Sequence, residues 1–325
     1  MKAEEAAKQI VKAGRELSET GLIARTWGNV SCRIDSDNFM ITPSGRDYLS
    51  LREEEIVSIN IETLEHEGEI KPSSEKRVHR EIYRLKSEAN FIIHTHQHNA
   101  SAISAMGVDR IELSKAYPLL GDVIFIAPYS LPGTKKITEG IAKTISGIDS
   151  KAVIMSNHGA VCYGKDYEEA FAVAKELEEA CGDYLEELGV PASKGDEEHF
   201  RDLWNNDPAI MKYMEIRAGL PAYLDDFAQI IGPKLPVICG DEKKEEAAIK
   251  KAQEKGRPLL VKGIGAMCNG DSADDCTAIS MIIEKNCRAA LAGLGVKPIK
   301  KLESMLMRQV YLRKYSKLKA EPKSK

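Results

Sequence analysis

The 325-residue chain has no apolar run approaching the ~20 residues that span a bilayer. Its first residues, Met1-Lys-Ala-Glu-Glu-Ala-Ala-Lys8, are polar and helix-forming and carry no apolar targeting region. These lacks give the expectation of a cytoplasmic protein with no membrane partner. Cys-x-x-Cys is missing as well. The seven cysteines are odd in number and scattered, which argues against a disulfide framework. Cys32, Cys162 and Cys181 fall in apolar segments, where a reduced thiol packs as a small hydrophobe. A surplus of positive charge is lacking too. At a formal net charge of −4, nothing points to nucleic acid as a partner. Histidine is scarce and unevenly spread: of seven, three lie within residues 94–98, and beyond His158 there is only His199.

What is present is an apolar content of 43%, enough for a full core, on a length suited to two modest domains or one large one. Residues 3–19 put Ala6, Ile10, Ala13 and Leu17 on one helical face, and Gly21 stops that helix. Val30 to Ile34 and Phe39 to Thr42 read as strands joined by the turn-rich Asp35-Ser-Asp-Asn38, with Glu55 to Ile61 as a third. Pro72-Ser-Ser-Glu75 opens a helix running to Leu85, with Ser73 or Ser74 as N-cap and Glu75 in the first turn. A strand ends at His94, and a helix follows near residues 99–106. Residues 123–127, 151–155 and 160–163 read as further strands, and residues 134–145 and 167–188 as helices.

Past a polar, partly helical stretch the sequence repeats. A shift that carries His158 to Ile264, 106 positions on, also carries Ala116-Tyr117 to Ala222-Tyr223 and Gly159-Ala160 to Gly265-Ala266. It carries Cys162 to Cys268, Gly164 to Gly270, Glu178 to Glu284, Cys181 to Cys287 and Leu185 to Leu291 with no gap. The order strand, helix, strand, strand, long helix recurs with it, as expected of a partial duplication. The copy has lost any chemistry that depends on histidine. The division expected is a first domain over residues 1–190, a helical linker over 191–221, a degenerate half-repeat over 222–296, and a basic helix and tail over 297–325. In that last segment Leu302, Met305, Leu306 and Val310 are spaced for one helix face, and the expectation is that this face docks on the protein.

His94 and His96 are two apart at the end of an apolar strand, so they share a face and can converge on one ion. His158 follows a second strand in Asn157-His158-Gly159. Three histidines from two strand ends leave a coordination position open, as in a catalytic metal site. His98, where a helix starts, reads as a non-ligand, and His79, one turn after Glu75, as packed. Gly28-Asn29-Val30-Ser31, Thr42-Pro43-Ser44-Gly45 and the helix start at Ser73-Ser74-Glu75 offer backbone N–H groups, hydroxyls and a helix dipole, the parts of a phosphate cradle. Glu75 would stand near both phosphate and metal, where a carboxylate can act as acid or base.

Taken in order, these segments resemble the class II aldolase/adducin family, most closely its L-fuculose-phosphate aldolase branch. They are Thr26-Trp27-Gly28-Asn29-Val30-Ser31, Ile41-Thr42-Pro43-Ser44-Gly45, Pro72-Ser73-Ser74-Glu75, His94-Thr95-His96, Ala127-Pro128-Tyr129 with Gly133-Thr134, and Asn157-His158-Gly159. The resemblance implies a three-layer α/β/α sandwich with a largely antiparallel central sheet, followed here by the partial repeat. It implies a homo-oligomer, commonly a cyclic tetramer with active sites at subunit interfaces. His94, His96 and His158 would hold zinc, or manganese or cobalt, which suit the same ligands. Asn29, Ser44, Gly45, Ser73 and Ser74 would hold a sugar phosphate, with Gly28 shaping the loop. Zinc would stabilise the enediolate left when the C3–C4 bond of a ketose 1-phosphate breaks to give dihydroxyacetone phosphate and an aldehyde. Glu75 would handle the proton at C3. The branch's second proton carrier is a tyrosine, and Tyr117 is the nearest candidate, although it does not stand at the aligned place. A 4-epimerase or a methylthioribulose-phosphate-type dehydratase would use the same site, and an adducin-like binding protein would use none of it.

Overall fold

The computed structural model describes residues 1–23, 27–193, 204–270 and 272–314, without the side chains of Asp274 and Lys314. Thr26, His199 and the tail at 315–325 lie outside the described residues. The chain divides into two units, Met1–Ala100 with Val108–Tyr184, and Ser101–Gly107 with Leu185–Lys325.

In the first unit the elements follow as α1 (Ala3–Glu19), β1 (Asn29–Arg33), β2 (Asn38–Ile41), β3 (Val57–Asn60), α2 (Lys76–Leu85), β4 (Phe91–Thr95) and α3 (His98–Ser104). Then come β5 (Arg110–Tyr117), β6 (Gly121–Ala127), α4 (Lys135–Ser146), β7 (Ala152–Met155), β8 (Ala160–Gly164) and α5 (Tyr167–Glu187). The eight strands form one sheet in the order β3-β2-β1-β4-β8-β7-β6-β5. Of its pairs only β6 with β7 is parallel. Strand alternation sorts the side chains into layers. Ile92, Val153, Met155, Val161 and Tyr163 point to the face where Val78 and Ile82 of α2 and Ile137, Ile141 and Ile145 of α4 complete the core. The opposite residues meet α1 and α5. Phe91 packs edge-on against Tyr167, whose hydroxyl also bonds Glu16 of α1. This is the expected three-layer sandwich with a largely antiparallel sheet.

Sequence and structure differ at β5 and at the start of α2. β5 is an edge strand with exposed Arg110, Glu112, Ser114 and Lys115 and a register shift between Glu112 and Tyr117, so no clean alternation marks it. At α2 the N-cap position falls to Glu75 rather than Ser73 or Ser74. Ser73 instead accepts the Glu75 N–H on its Oγ at 3.2 Å, closing a turn just before the helix.

The second unit has β9 (Trp204–Asn205), α6 (Pro208–Ile216), β10 (Gly219–Pro221), α7 (Asp225–Ile230), β11 (Lys234–Ile238) and α8 (Glu242–Glu254). β12 (Leu259–Val261), β13 (Gly265–Met267), α9 (Ala273–Ala292) and α10 (Lys301–Lys314) follow. Its sheet order is β10-β11-β12-β13-β9. That is the order β5-β6-β7-β8-β4 of the first unit, with the parallel pair in the same place. The register repeats as well. Val153 faces Val161 and Ile154 faces Ala160; 106 residues on, Leu259 faces Met267 and Leu260 faces Ala266. The repeat therefore reaches upstream of residue 222. β9 takes the place of β4, with Trp204 opposite Met267 as His94 is opposite Val161. β9, α6 and β10 all lie inside the stretch read from the sequence as a helical linker. A two-residue strand leaves no periodicity to read, and its offset from His94 is longer than 106 positions.

The C-terminal helix forms, but the face chosen from its spacing is not the buried one. Leu302, Met305, Leu306 and Val310 are exposed, whereas Ser304 and Met307 are buried. The helix is fixed by Arg308, whose guanidinium donates to the carbonyls of Gln229 and Ile230 at the end of α7. Such a bond satisfies helix C-terminal carbonyls and sets the rotation of α10. The cysteines are all free, and Cys239 is exposed. Among the described residues no helix is long and apolar enough to cross a membrane.

Candidate active site

Alternation along β1 turns Asn29 and Ser31 toward α2, the face that also carries Ile92 and His94 of β4. Asn29 and His94 are register partners across the two strands. Gly28, just before them, has φ +104, and a Cβ there would lie 2.5 Å from the His94 carbonyl oxygen. Only glycine suits both that torsion and that approach. Gly28→Ala is expected to cost roughly 1–3 kcal/mol of stability and to lower metal content, measured by denaturant unfolding and elemental analysis.

His158 comes from the tight connection between β7 and β8. Its N–H donates to the Met155 carbonyl at 3.0 Å, and the Met155 N–H donates to the Gly159 carbonyl at 2.7 Å. Asn157 between them sits in the left-handed region at φ 60, which asparagine tolerates better than most residues. His96 stands one residue past the end of β4. These backbone facts bring His94, His96 and His158 together, all buried, with one nitrogen of each within 4.8 Å of the others. The rings of His94 and His158 are stacked at 5.0 Å, and His96 meets both edge-on.

Glu75 reaches this cluster from the N-cap of α2. Its Oε2 lies 3.1 Å from His94 Nε2 and its Oε1 3.1 Å from His158 Nε2. Burial alone would raise this carboxyl, but the two rings and the Asn29 amide outweigh it and hold Glu75 well below the usual carboxylate range. Burial pushes His94 down to about 3, so the ring is neutral. Its Nδ1 lies 2.9 Å from the Ala160 carbonyl and must donate to it, which leaves Nε2 bare. That bare nitrogen faces His96 Nε2 at 3.1 Å as well as the Glu75 carboxylate. Nitrogens of three imidazoles thus converge beside a carboxylate, and the three form a donor set that fits a divalent transition-metal ion.

The cradle segments are also neighbours. Thr42 Oγ1 accepts from the Val30 N–H at 3.2 Å, and the Thr42 carbonyl accepts from the Ser73 N–H at 3.0 Å. The Ser44 N–H donates to the Lys71 carbonyl at 2.9 Å, and Pro43 bridges Pro72. Tyr48 donates to the Gly28 carbonyl at 2.9 Å. Gly28, Ser44, Gly45, Ser73 and Ser74 therefore border one loop cluster at the head of α2. Asn29 donates from Nδ2 to Glu75 Oε2 at 2.6 Å.

Tyr117 is not brought to the histidines. It ends β5, and its hydroxyl donates 2.6 Å to Asp183 of α5, which also pairs with Lys115 at 2.7 Å. Burial and that carboxylate raise the phenol to about 12. Tyr117→Phe is expected to cost about 1–3 kcal/mol of stability through the loss of this bond to a carboxylate. His98 begins α3 and is not one of the three clustered histidines. In the second unit Trp204 occupies the register of His94, and Ile264, at the position of His158, is 45% exposed.

Comparison with known proteins agrees in extent with the first unit. Residues 8–185 match the family described as Class II Aldolase and Adducin N-terminal domain. The chain is 33% identical over 172 residues to 5-deoxy-D-ribulose 1-phosphate aldolase of Bacillus thuringiensis, covering 53% of this chain and 80% of that protein. It is 31% identical over 198 residues to L-fuculose phosphate aldolase of Escherichia coli, covering 58% of this chain and 87% of that protein. Among solved structures, an L-fuculose 1-phosphate aldolase superposes with a TM-score of 0.53 at 30% identity, over 60% of this chain and 92% of that one.

Proposed function

The chain belongs to the class II aldolase and adducin family, and we propose that it is a metal-dependent aldolase. Its reaction would be cleavage of a ketose 1-phosphate to dihydroxyacetone phosphate and an aldehyde. The observation that carries this reading is the Glu75 carboxylate spanning His94 and His158 at 3.1 Å to each. An ionised carboxylate beside a three-histidine donor set is equipped for proton transfer at carbon, and a binding module has no need of it. A divalent ion on His94, His96 and His158, zinc in this proposal, would supply a Lewis acid for the substrate carbonyl.

The remaining steps fall to the chain's own side chains. Ser44 and Ser73, whose backbone N–H groups are taken by the Lys71 and Thr42 carbonyls, hold the phosphate with their hydroxyls, Gly45 and Ser74 add backbone N–H groups, and Gly28 lets the loop approach. Asn29 gives one N–H to Glu75 and keeps its second for the phosphate. In the synthetic direction Glu75 removes a proton from C3 of dihydroxyacetone phosphate and a second carrier protonates the new C4 oxygen; in cleavage Glu75 returns a proton to C3 and the second carrier takes the C4 hydroxyl proton. A homo-oligomer is part of the proposal, with analytical ultracentrifugation as its measure.

The test starts from zinc-loaded protein and dihydroxyacetone phosphate in deuterated water, followed by a panel of small aldehydes. Exchange of one C3 proton and formation of a ketose 1-phosphate are the expected results. Bound zinc without exchange or condensation would sink the aldolase reading. Absence of any bound divalent metal after chelator-free purification would favour an adducin-like binding protein.

A further inference from the structure

We infer that His79 is a positioning residue that holds the Asn29 amide in the one orientation able to donate to Glu75. His79, fully buried on α2, lies between two polar groups. Its Nδ1 is 2.6 Å from Ser31 Oγ, and its Nε2 makes a short contact with Asn29 Oδ1. Ser31 Oγ in turn is 2.7 Å from the Tyr83 hydroxyl. Tyr83, Ser31, His79 and Asn29 are each under 5% exposed, so water does not compete for these bonds.

The direction of every bond in the chain follows from its last member. Asn29 Nδ2 lies 2.6 Å from Glu75 Oε2 and donates to it. Asn29 Oδ1 then faces His79, so Nε2 must carry the proton. Burial pushes His79 down to about 4, so the ring is neutral and its Nδ1 is bare. A bare Nδ1 accepts from the Ser31 hydroxyl. With its only proton used, Ser31 accepts from Tyr83. The run Tyr83 to Ser31 to His79 to Asn29 to Glu75 is fully satisfied in this one polarity. Turning the Asn29 amide over would set an N–H against the His79 N–H and an oxygen against the carboxylate, two repulsive contacts in a dry place.

The two ends of an asparagine amide are nearly equal in shape, so shape alone does not choose between them. The contact with Glu75 sets the choice and His79 holds it, and through Asn29 it keeps Glu75 on the pair of rings at the cluster. Its kinetic consequence rests on the aldolase reading; its tautomer does not.

The experiment has two arms on zinc-loaded protein. With 15N-labelled histidine, the His79 signal, assigned by its loss in His79→Gln, should show a protonated Nε2 and a bare Nδ1. A bare Nε2, or a doubly protonated ring, overturns the inference whether or not the protein is an aldolase. In the kinetic arm, His79→Leu should lower kcat about 10–100-fold with bound zinc retained, and KM for the sugar phosphate should move less than about threefold. His79→Gln, which can still donate to Asn29, should recover most of kcat. A role in packing alone predicts no such recovery, so equal loss in Leu and Gln variants overturns the inference, as does an unchanged kcat in His79→Leu. Should His79→Leu fail to fold, Ser31→Ala serves. It removes the donor to Nδ1, and the share of Nε2–H tautomer should fall together with kcat; no change in either would count against the relay.

Discussion

Purified without chelator, His158→Ala is expected to carry little divalent metal, while Ile264→Ala carries as much as the parent protein. Losing a partner that merely orients a ligand lowers metal affinity about 10–100-fold. Losing one of three ligands should therefore exceed about 100-fold. His94 and His96 would remain, but both come from one strand end, and the opposing side of the donor set would be empty. The readout need not be catalytic. A ligand at 100 times its dissociation constant stabilises a fold by about 2.7 kcal/mol. Added zinc should raise the melting temperature of the parent and of Ile264→Ala, and leave that of His158→Ala nearly unmoved. Ile264 is the proper control because the register of β12 with β13 puts it where His158 stands between β7 and β8. Equal metal loss in both variants would mean that the two units are wrongly aligned.

Glu75→Gln is expected to keep its metal and lose about 10²–10⁴ of turnover, the range by which a positioned acid or base contributes. Glutamine keeps the length of the side chain and an acceptor for the Asn29 amide, so the loops around it should hold. What it lacks is a carboxylate to take the C3 proton. The loss should appear in exchange of the dihydroxyacetone phosphate proton as strongly as in the full reaction, because that exchange involves no aldehyde. Turnover within threefold of the parent would remove Glu75 from the chemistry.

Much of this was legible in the sequence because period and spacing carried it. His94 with His96, Asn157-His158-Gly159 and the head of α2 are local signals, and each was placed by the strand or helix that bears it. Asn29 was legible as a polar residue of a glycine turn, but its partner was not. Glu75 is 46 residues away, and only the pairing of β1 with β4 and the rotation of α2 bring the two together. His79 and Tyr83 follow Glu75 at helical spacing, so the face was visible. That a polar thread ran along it was not, because Ser31 completes the thread from another strand. β9 was missed since two residues have no period. The buried side of α10 was misread since an arginine on α7's carbonyls, rather than an apolar stripe, sets its rotation.

Gly159 and Gly265 meet the same obstacle. A Cβ on Gly159 would run into the Thr95 carbonyl oxygen, and one on Gly265 would lie 2.5 Å from the carbonyl oxygen of Asn205, the residue in the register place of Thr95. The second unit has isoleucine, Ile264, where the histidine stands and still requires that glycine. In Asn-His-Gly, then, the three letters answer to different demands. The histidine belongs to the three-histidine cluster, the asparagine to a left-handed turn, and the glycine to a neighbouring strand end too close for a side chain. A sequence that kept the first and last letters and lost the middle one would still fold this hairpin.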